Sequence, residues 1–354
     1  MSTTSPIIFY DIAMKAPLEK NCCSPNPWKT RLALNFKNLP YSTSWVPLPD
    51  IGKVRSNLNV PACRKFADGT DFFTLPIIED RTTGSLVGDS FDIAVYLQNT
   101  YPDSGAGDLF PPQKLEFVLP EGPALLVPLT ECRESGFPEY AKFNVNVDAA
   151  FTAHVQLGVQ GLPFDPATAE ISRAEFVRRA GFTSWDDFAL VGEAREKTKE
   201  SFRNTLGGLA ELFSRDTSGP FLLGTRASYA DLIVGGWLRM MSVTLPESEW
   251  EELRSWHGGL FGQLYDALQI TQYANTPDKE EQTRPRNFSM PLSGSSGDRV
   301  SGLDHPLQKP IDATRVAESG ITAESKVHNV NHITFQLESR IDSQRSKPSF
   351  NELI

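Results

Sequence analysis

Two cysteines and a serine come directly before a run of residues with helical periodicity. Cys22, Cys23 and Ser24 are followed by Pro25, and proline suits the first turn of a helix, where an N–H group would have no partner. The unpaired N–H groups of a helix N-terminus stabilise an anion that lies close to them. A thiolate is such an anion, and the Ser24 hydroxyl could donate a hydrogen bond to it. The stretch therefore predicts a site for thiolate chemistry.

Two other interpretations of this stretch remain open from the residues alone. Serine is among the commonest helix N-caps, so Ser24 could simply cap the helix. Cys23 or Cys22 could itself attack a disulfide, because a cysteine at a helix N-terminus has a lowered thiol pKa. The three interpretations differ in whether the reactive sulfur belongs to the protein.

The elements around this stretch form a β-α-β unit. An apolar, β-branched run over residues 7–13 predicts a strand, residues 27–37 show helical spacing, and a second strand begins at Tyr41. Such a unit predicts a parallel pair of strands. In the helix, three basic residues fall on the side opposite the apolar positions: Lys29, Arg31 and Lys37.

A second group of elements has the order β-β-α. Residues 75–79 and 85–87 read as two strands joined by a turn, and Asp89 and Ser90 are N-cap candidates for a helix that Pro102 ends. With a short helix in the irregular segment between the two groups, the order is β-α-β-α-β-β-α. That order is the thioredoxin-like layout, and we assign it to residues 5–102.

Residues 113–275 have a mostly helical pattern after a connector rich in Gly and Pro. Two capping boxes are indicated, Ser172 with Glu175 and Ser228 with Asp231. The second box precedes a nearly all-apolar helix that we expect at the centre of an all-α domain. Residues 276–354 are polar and without period, which predicts a disordered tail.

Composition excludes several classes of partner. The net charge of −10 and the lack of a basic stripe argue against nucleic acid and anionic membranes. No apolar run reaches the roughly 18 residues of a membrane helix, so we expect a cytoplasmic protein. His328 and His332 have the spacing of a helical metal pair but no third ligand nearby, and we expect no metal site.

Several segments together resemble one known family. They are FYDIA, SPNPWKTRLALNFKNLPY, TLPIIED, GDSFDIAVYLQNTYP and SYADLIVGGWL. The chain resembles the cytosolic glutathione transferases, nearest to the serine-type, β-etherase-like branch known from fungi and bacteria. The resemblance covers residues 7–275. It implies a thioredoxin-like domain followed by an all-α domain, a homodimer, and glutathione as the co-substrate that carries the reactive thiol.

The resemblance also assigns roles to residues of the first domain. Ser24 corresponds to the hydroxyl that activates glutathione, and Asn26 is a candidate second donor. Leu75 precedes a proline, Pro76, that the family keeps cis, so the Leu75 backbone would pair with the cysteinyl unit. The acid-serine pair that holds the γ-glutamyl end of glutathione falls on Asp89 and Ser90. Residues 53–65 lie where other members bind the glycine carboxylate.

The function implied is attack of glutathione thiolate on a small hydrophobic electrophile, which gives a thioether or cleaves an aryl ether. We expect the second substrate against the first helix of the helical domain, where five side chains recur on one face: Tyr140, Phe143, Asn144, Phe151 and His154. Two alternatives remain, a non-catalytic ligand-binding or regulatory protein and a cysteine-dependent, glutaredoxin-like thiol transferase.

Overall fold

The computed structural model describes residues 5–66, 68–119, 129 and 136–273. The strands are β1 (Ile7–Ile12), β2 (Tyr41–Val46), β3 (Arg64–Lys65), β4 (Asp71–Phe72), β5 (Ile77–Asp80) and β6 (Ser85–Val87). The helices of the first half are α1 (Leu18–Asn21), α2 (Pro25–Phe36), α3 (Ile51–Asn57) and α4 (Ser90–Thr100). Those of the second half are α5 (Pro138–Thr152), α6 (Gln156–Val159), α7 (Ala169–Ala180), α8 (Gly192–Phe213), α9 (Tyr229–Thr244) and α10 (Glu247–Tyr273).

The first half forms a four-stranded mixed sheet in the order β2-β1-β5-β6. β1 pairs parallel with β2 and antiparallel with β5, and β5 pairs antiparallel with β6. This arrangement confirms the thioredoxin-like layout with its β-α-β and β-β-α halves. The strand expected at residues 75–79 begins two residues later, because Leu75 and Pro76 form the loop before β5.

The basic side of α2 is buried, contrary to what its amphipathic pattern suggests. Lys29, Arg31 and Lys37 are at most 5% exposed, and each binds an acceptor inside the protein. The helix packs against β1 on one side and against α4, α9 and α10 on the others, so no face is left for solvent. A charged residue is tolerated inside a protein when it is paired, and here the partners come from distant parts of the chain.

α7 does not begin with the predicted capping box. The helix begins at Ala169, so Ser172 is buried within it, and Glu175 forms ion pairs further along the helix. The turn before the helix is organised instead by Asp165, whose carboxylate accepts from the N–H of Ala167 at 2.9 Å. A serine three residues before a glutamate is therefore a misleading signal here.

α9 begins with the second predicted capping box, which is confirmed. The carboxylate of Asp231 accepts from the N–H and the hydroxyl of Ser228 and also from the N–H of Leu222. Burial raises the pKa of Asp231 to about 6. The helix it opens is buried along most of its length, as its apolar sequence predicts, and it contacts α2, α5, α6 and α10.

Within the described residues, the second half is helical apart from loops, one turn of 3-10 helix at Trp185–Phe188 and two isolated β-bridges at residues 221–226. The helical pattern therefore confirms the expected fold class. Residues 256–259 leave helical geometry and divide α10 into two segments. The expected domain boundaries, at residues 102, 113 and 275, stay predictions. The disordered tail predicted for residues 276–354 lies outside the described residues.

Candidate functional site

The N-terminus of α2 lines a cleft. Ser24 is the N-cap residue, but its side chain makes no capping hydrogen bond, so its hydroxyl does not bind a backbone N–H of the first helical turn. Its carbonyl accepts from the N–H of Trp28 at 3.1 Å, and Pro25 occupies the first helical position. The indole of Trp28 donates to the carbonyl of Cys22 at 2.8 Å, which holds the preceding loop against the helix.

The cleft has a volume of about 1100 Å³ including its open mouth, and its lining is mostly apolar. One wall consists of the chain from Cys23 to Asn26, together with Leu75. Further lining residues come from α5, α7, α9 and the segment before α7. Three of the predicted site residues, Ser24, Asn26 and Leu75, are thus brought together at one place.

The other predicted glutathione residues lie beside the cleft rather than in its lining. The Leu75–Pro76 peptide bond is cis, as the family resemblance implies. Asp89 is the N-cap of α4, and its carboxylate accepts from the N–H of Phe91 at 2.9 Å. Ser90 is the first residue of α4, and its carbonyl accepts from the buried hydroxyl of Tyr229 at 2.9 Å. Asp89 and Ser90 are both buried.

Arg55 connects the two loops that carry these residues, and sequence reasoning missed it. Its guanidinium is fully buried and donates to the carbonyls of Thr74 at 2.5 Å and Gly88 at 3.2 Å. Thr74 precedes Leu75, and Gly88 precedes Asp89. Two further bonds reach the carbonyls of the loop after α3. The residue lies in the segment considered for the glycine carboxylate, but its interactions with backbone carbonyls make it a positioning residue.

Two arginines bring positive charge to the cleft wall. Arg64 and Arg179 both line the cleft. Arg179 lies on α7 and donates to the carbonyl of Phe73 at 2.8 Å, while its ion pair with Glu175 is also 2.8 Å long. These contacts join α7 to the loop that leads to Leu75.

The five side chains expected to contact the second substrate do not line this cleft. They are packed in the core: Tyr140, Phe143, Asn144, Phe151 and His154. The face of α5 and the following turn that lines the cleft instead carries Asp148, Thr152 and Val155. Helical spacing identifies residues that share a face of α5, but it does not show which face meets the cleft. Here α8 and α9 pack against the more apolar face, and the adjacent face of α5 lines the cleft.

His154 in particular is a core residue. Its two ring nitrogens lie 2.8 Å from the carbonyl oxygen of Ala150 and 3.0 Å from the hydroxyl of Ser201. The ring stacks on Phe202 with 4.9 Å between centroids. Burial lowers the pKa of His154. The ring is therefore neutral at physiological pH, and it is not an acid or base of the cleft.

The thiols at the mouth of α2 are poor nucleophiles. Cys22 and Cys23 are free and buried. Burial raises the pKa of Cys22 to about 12 and raises the pKa of Cys23 as well. Both groups are protonated at neutral pH, so the arrangement disfavours a cysteine-dependent thiol transferase.

This fold and cleft define a class of enzyme, the glutathione-dependent transferases. The family model described as Glutathione S-transferase, N-terminal domain matches residues 23–100, and the one described as Glutathione S-transferase, C-terminal domain matches residues 165–270. The chain belongs to the glutathione S-transferase family. It is accordingly a glutathione transferase, with glutathione as co-substrate.

Several relatives are similar over most of their length. The glutathione S-transferase-like protein ustS of Aspergillus flavus is 28% identical over 74% of this chain and 90% of its own. The glutathione S-transferase CsGST63524 of Ceriporiopsis subvermispora, solved in complex with glutathione, is 30% identical with a TM-score of 0.59 and covers 77% of this chain and 99% of its own. GSTFuA3 of Phanerochaete chrysosporium is 27% identical with a TM-score of 0.61, covering 76% and 98%.

The described residues contain neither a candidate metal site nor a candidate membrane-spanning helix. No group of three or more His, Cys, Asp or Glu side chains within them could hold a metal ion. His328 and His332 lie outside these residues. No helix in the described part of the chain is long and apolar enough to cross a membrane.

Proposed function

We propose that the enzyme is of the serine type, in which the Ser24 hydroxyl and the N-terminus of α2 hold the glutathione sulfur as a thiolate. The observation that supports this most directly is that the Ser24 side chain lines the cleft but makes no capping bond. A hydroxyl and a helix N–H group, here that of Asn26 because Pro25 and Pro27 have none, both favour the charged form of a thiol, which lowers its pKa. We assign the enzyme to the β-etherase-like branch on its motifs and on its similarity to the FuA transferase.

The remaining parts of glutathione would occupy the loops around α2. The Leu75 backbone, beside the cis Pro76, would pair with the cysteinyl unit. Asp89 would hold the α-ammonium of the γ-glutamyl group, while Ser90 at the N-terminus of α4 would hold its carboxylate. Asn26 would act as a second donor to the sulfur. The donor would be its Nδ2 group, while its Oδ1, which is buried and makes no hydrogen bond within the described residues, could accept from a donor of the ligand.

The cationic side chains of the cleft suit the carboxylates of the tripeptide. Arg64 follows the loop after α3, where the family binds the glycine end, and it lines the cleft. We propose Arg64 for that carboxylate. Exposed Lys53 and Lys65 are less suitable, since Lys65 forms an ion pair with Asp71 at 2.8 Å on the surface.

The second substrate would be a hydrophobic electrophile with an aromatic group. Phe72, Phe164, Phe176 and Trp237 line the cleft and offer aromatic contacts. In the reaction, the sulfur lone pair forms a C–S bond to the electrophilic carbon, and the leaving group departs with the electrons of the bond that breaks. The product is a thioether, and an aryloxide leaving group makes the reaction a glutathione-dependent ether cleavage.

The test compares Ser24→Ala with Cys23→Ser in conjugation assays with halogenated and β-aryl ether electrophiles. We expect Ser24→Ala to lower kcat/KM about 10- to 100-fold and to raise the pKa of the bound thiol, followed by thiolate absorbance against pH. Ser56→Ala, an exposed site on α3, is the matched control. Loss of activity only in Cys23→Ser would overturn the proposal, and so would glutathione binding without turnover by the wild type.

We also propose a cytoplasmic homodimer, on the resemblance to the cytosolic transferases. Sedimentation equilibrium tests the oligomeric state. A single species at the mass of one 39.2 kDa chain across the concentration range would contradict the dimer.

A further inference from the structure

A carboxylate lies in the apolar wall of the cleft. Asp148 on α5 lines the cleft but is only 4% exposed. A buried carboxylate is unfavourable unless it is paired and hydrogen-bonded. The residue lines the same cleft as Ser24 and is ion-paired with Lys29 of α2, the helix that begins after Ser24. Its position there calls for an explanation beyond the glutathione site.

The two oxygens of this carboxylate are used unequally. Oδ1 accepts from the ammonium of Lys29 at 2.5 Å and from the indole N–H of Trp237 at 2.7 Å. Oδ2 accepts only a long bond, 3.4 Å, from the amide of Asn144 among the described residues. Each carboxylate oxygen offers about two acceptor sites. Oδ2 therefore retains capacity for a stronger donor.

The charge of the group is already balanced. Lys29 is fully buried, and its ammonium binds both Asp148 and Asn144. Burial lowers the pKa of Lys29, while the nearby Asp148 carboxylate acts in the opposite direction. A cationic ligand would add a second positive charge beside Lys29 in a low-dielectric region. A neutral donor, such as a hydroxyl, fits the site better.

The same carboxylate fixes an aromatic surface. By holding the indole N–H of Trp237, it sets the orientation of a ring that lines the cleft. The ring is also stacked on Phe151, with 5.4 Å between centroids and 17° between planes. An immobilised indole face is a good platform for a second aromatic ring. Thr152, one turn after Asp148, lines the cleft on the same side.

We propose that Asp148 Oδ2 accepts a hydrogen bond from a neutral donor, such as a ring hydroxyl, on an aromatic second substrate. The proposal rests on the proposed glutathione transferase function and names its preferred electrophile. Asp148 is then a specificity-determining residue, Trp237 supplies the stacking surface, and Lys29 holds the carboxylate in position. A hydrogen bond to a charged group in a desolvated site corresponds to about a 10- to 100-fold preference for the hydroxyl compound.

The experiment uses two aromatic electrophiles that differ only in a hydroxyl or a methoxy group at the same ring position. We expect the wild type to prefer the hydroxyl compound in kcat/KM by about 10- to 100-fold. In Asp148→Asn the ratio should fall towards one, because the amide can still accept from Lys29 and Trp237 but presents N–H to the substrate. The ratio is the readout rather than either rate alone, because Asp148→Asn also replaces the charged partner of the buried Lys29 by a neutral one.

The controls distinguish the two proposals. Glu193→Gln removes a carboxylate from an exposed position on α8 and should leave the ratio unchanged. Equal turnover of both compounds by the wild type, or an unchanged ratio in Asp148→Asn, overturns the role of Asp148 while leaving the transferase function intact. Failure of the wild type to bind glutathione or to turn over either compound overturns the proposed function, and the role of Asp148 with it.

A second measurement needs no variant and covers the case in which Asp148→Asn does not fold. The glutathione conjugates of the two compounds are titrated into the wild type by calorimetry. Tighter binding of the hydroxyl conjugate by about 10-fold or more supports the proposal. Equal affinities, or a crystal structure that places the ring hydroxyl away from Asp148, overturn it.

Discussion

The guanidinium of Arg55 lies 2.5 Å from the carbonyl oxygen of Thr74, and the same side chain reaches the carbonyl of Gly88 at 3.2 Å. Leu75 and Asp89 follow these two carbonyls directly in the chain. One buried side chain thus sets the spacing between the loop assigned to the cysteinyl unit and the loop assigned to the γ-glutamyl end.

Arg55→Met should weaken both stability and glutathione binding. The change leaves several buried carbonyls without a donor, at about 1–3 kcal/mol each, so the free energy of unfolding should fall by ~3 kcal/mol or more. The loops should then lose their spacing, and Kd for glutathione should rise about 10-fold. Urea unfolding and calorimetry measure the two effects, with exposed Arg203→Met as the control. An unchanged Kd in a folded Arg55→Met protein would refute the positioning role.

Gly88→Ala tests the same contact from the other side. A Cβ at this position would lie 2.6 Å from Val60 Cγ1 and 2.8 Å from Arg55 Nη2, so the guanidinium would have to move. We expect a loss of glutathione affinity similar to that of Arg55→Met, and little added loss in the double variant, because both changes break one contact. Gly136→Ala, where the Cβ meets nothing within 4 Å, should have no effect. Full additivity of the two changes would contradict a shared mechanism.

The thiol of Cys23 should be unreactive at neutral pH. Burial raises its pKa, and only the thiolate reacts rapidly with alkylating agents. In the native enzyme, iodoacetamide should modify this residue at least about 100-fold more slowly at pH 7 than a free cysteine, as measured by mass spectrometry of the peptide. The denatured protein supplies the reference rate. Rapid modification of native Cys23 would contradict this prediction and would support a cysteine-dependent thiol transferase instead.

Asp231 should make stability depend on pH. Its pKa in the folded protein is about 6, above the value of about 3.9 for an unfolded chain, so the folded state binds the proton more tightly. Its contribution to the free energy of unfolding therefore declines as the pH rises from about 4 to about 6. The loss caused by Asp231→Asn should be about 1 kcal/mol larger at pH 5 than at pH 7, measured by urea unfolding.

The control for this measurement is exposed Glu211→Gln on α8, which should show no such difference between the two pH values. A larger loss from Asp231→Asn at pH 7 than at pH 5 would mean that the folded protein lowers the pKa of Asp231 rather than raises it.

Local signals in the sequence predicted the elements well where neighbours along the chain decide the structure. The Ser228 and Asp231 box is one example, because its donors and acceptors lie three residues apart. The parallel β1 and β2 pair is another, since two strands around one helix have few ways to pack. The same signal failed at Ser172, because α7 begins at Ala169, four residues earlier than a box at Ser172 would allow, after a turn organised by Asp165.

The sequence by itself determined the thioredoxin-like order of elements, the helical second half and the segment that carries Ser24, because periodicity and capping are properties of short stretches of chain. Tertiary structure alone decided which face of α5 meets the cleft and where buried charges find partners. Lys29 and Asp148 are separated by more than a hundred residues, and no local pattern encodes their contact. The side chains proposed to select the second substrate are therefore placed by packing between distant helices.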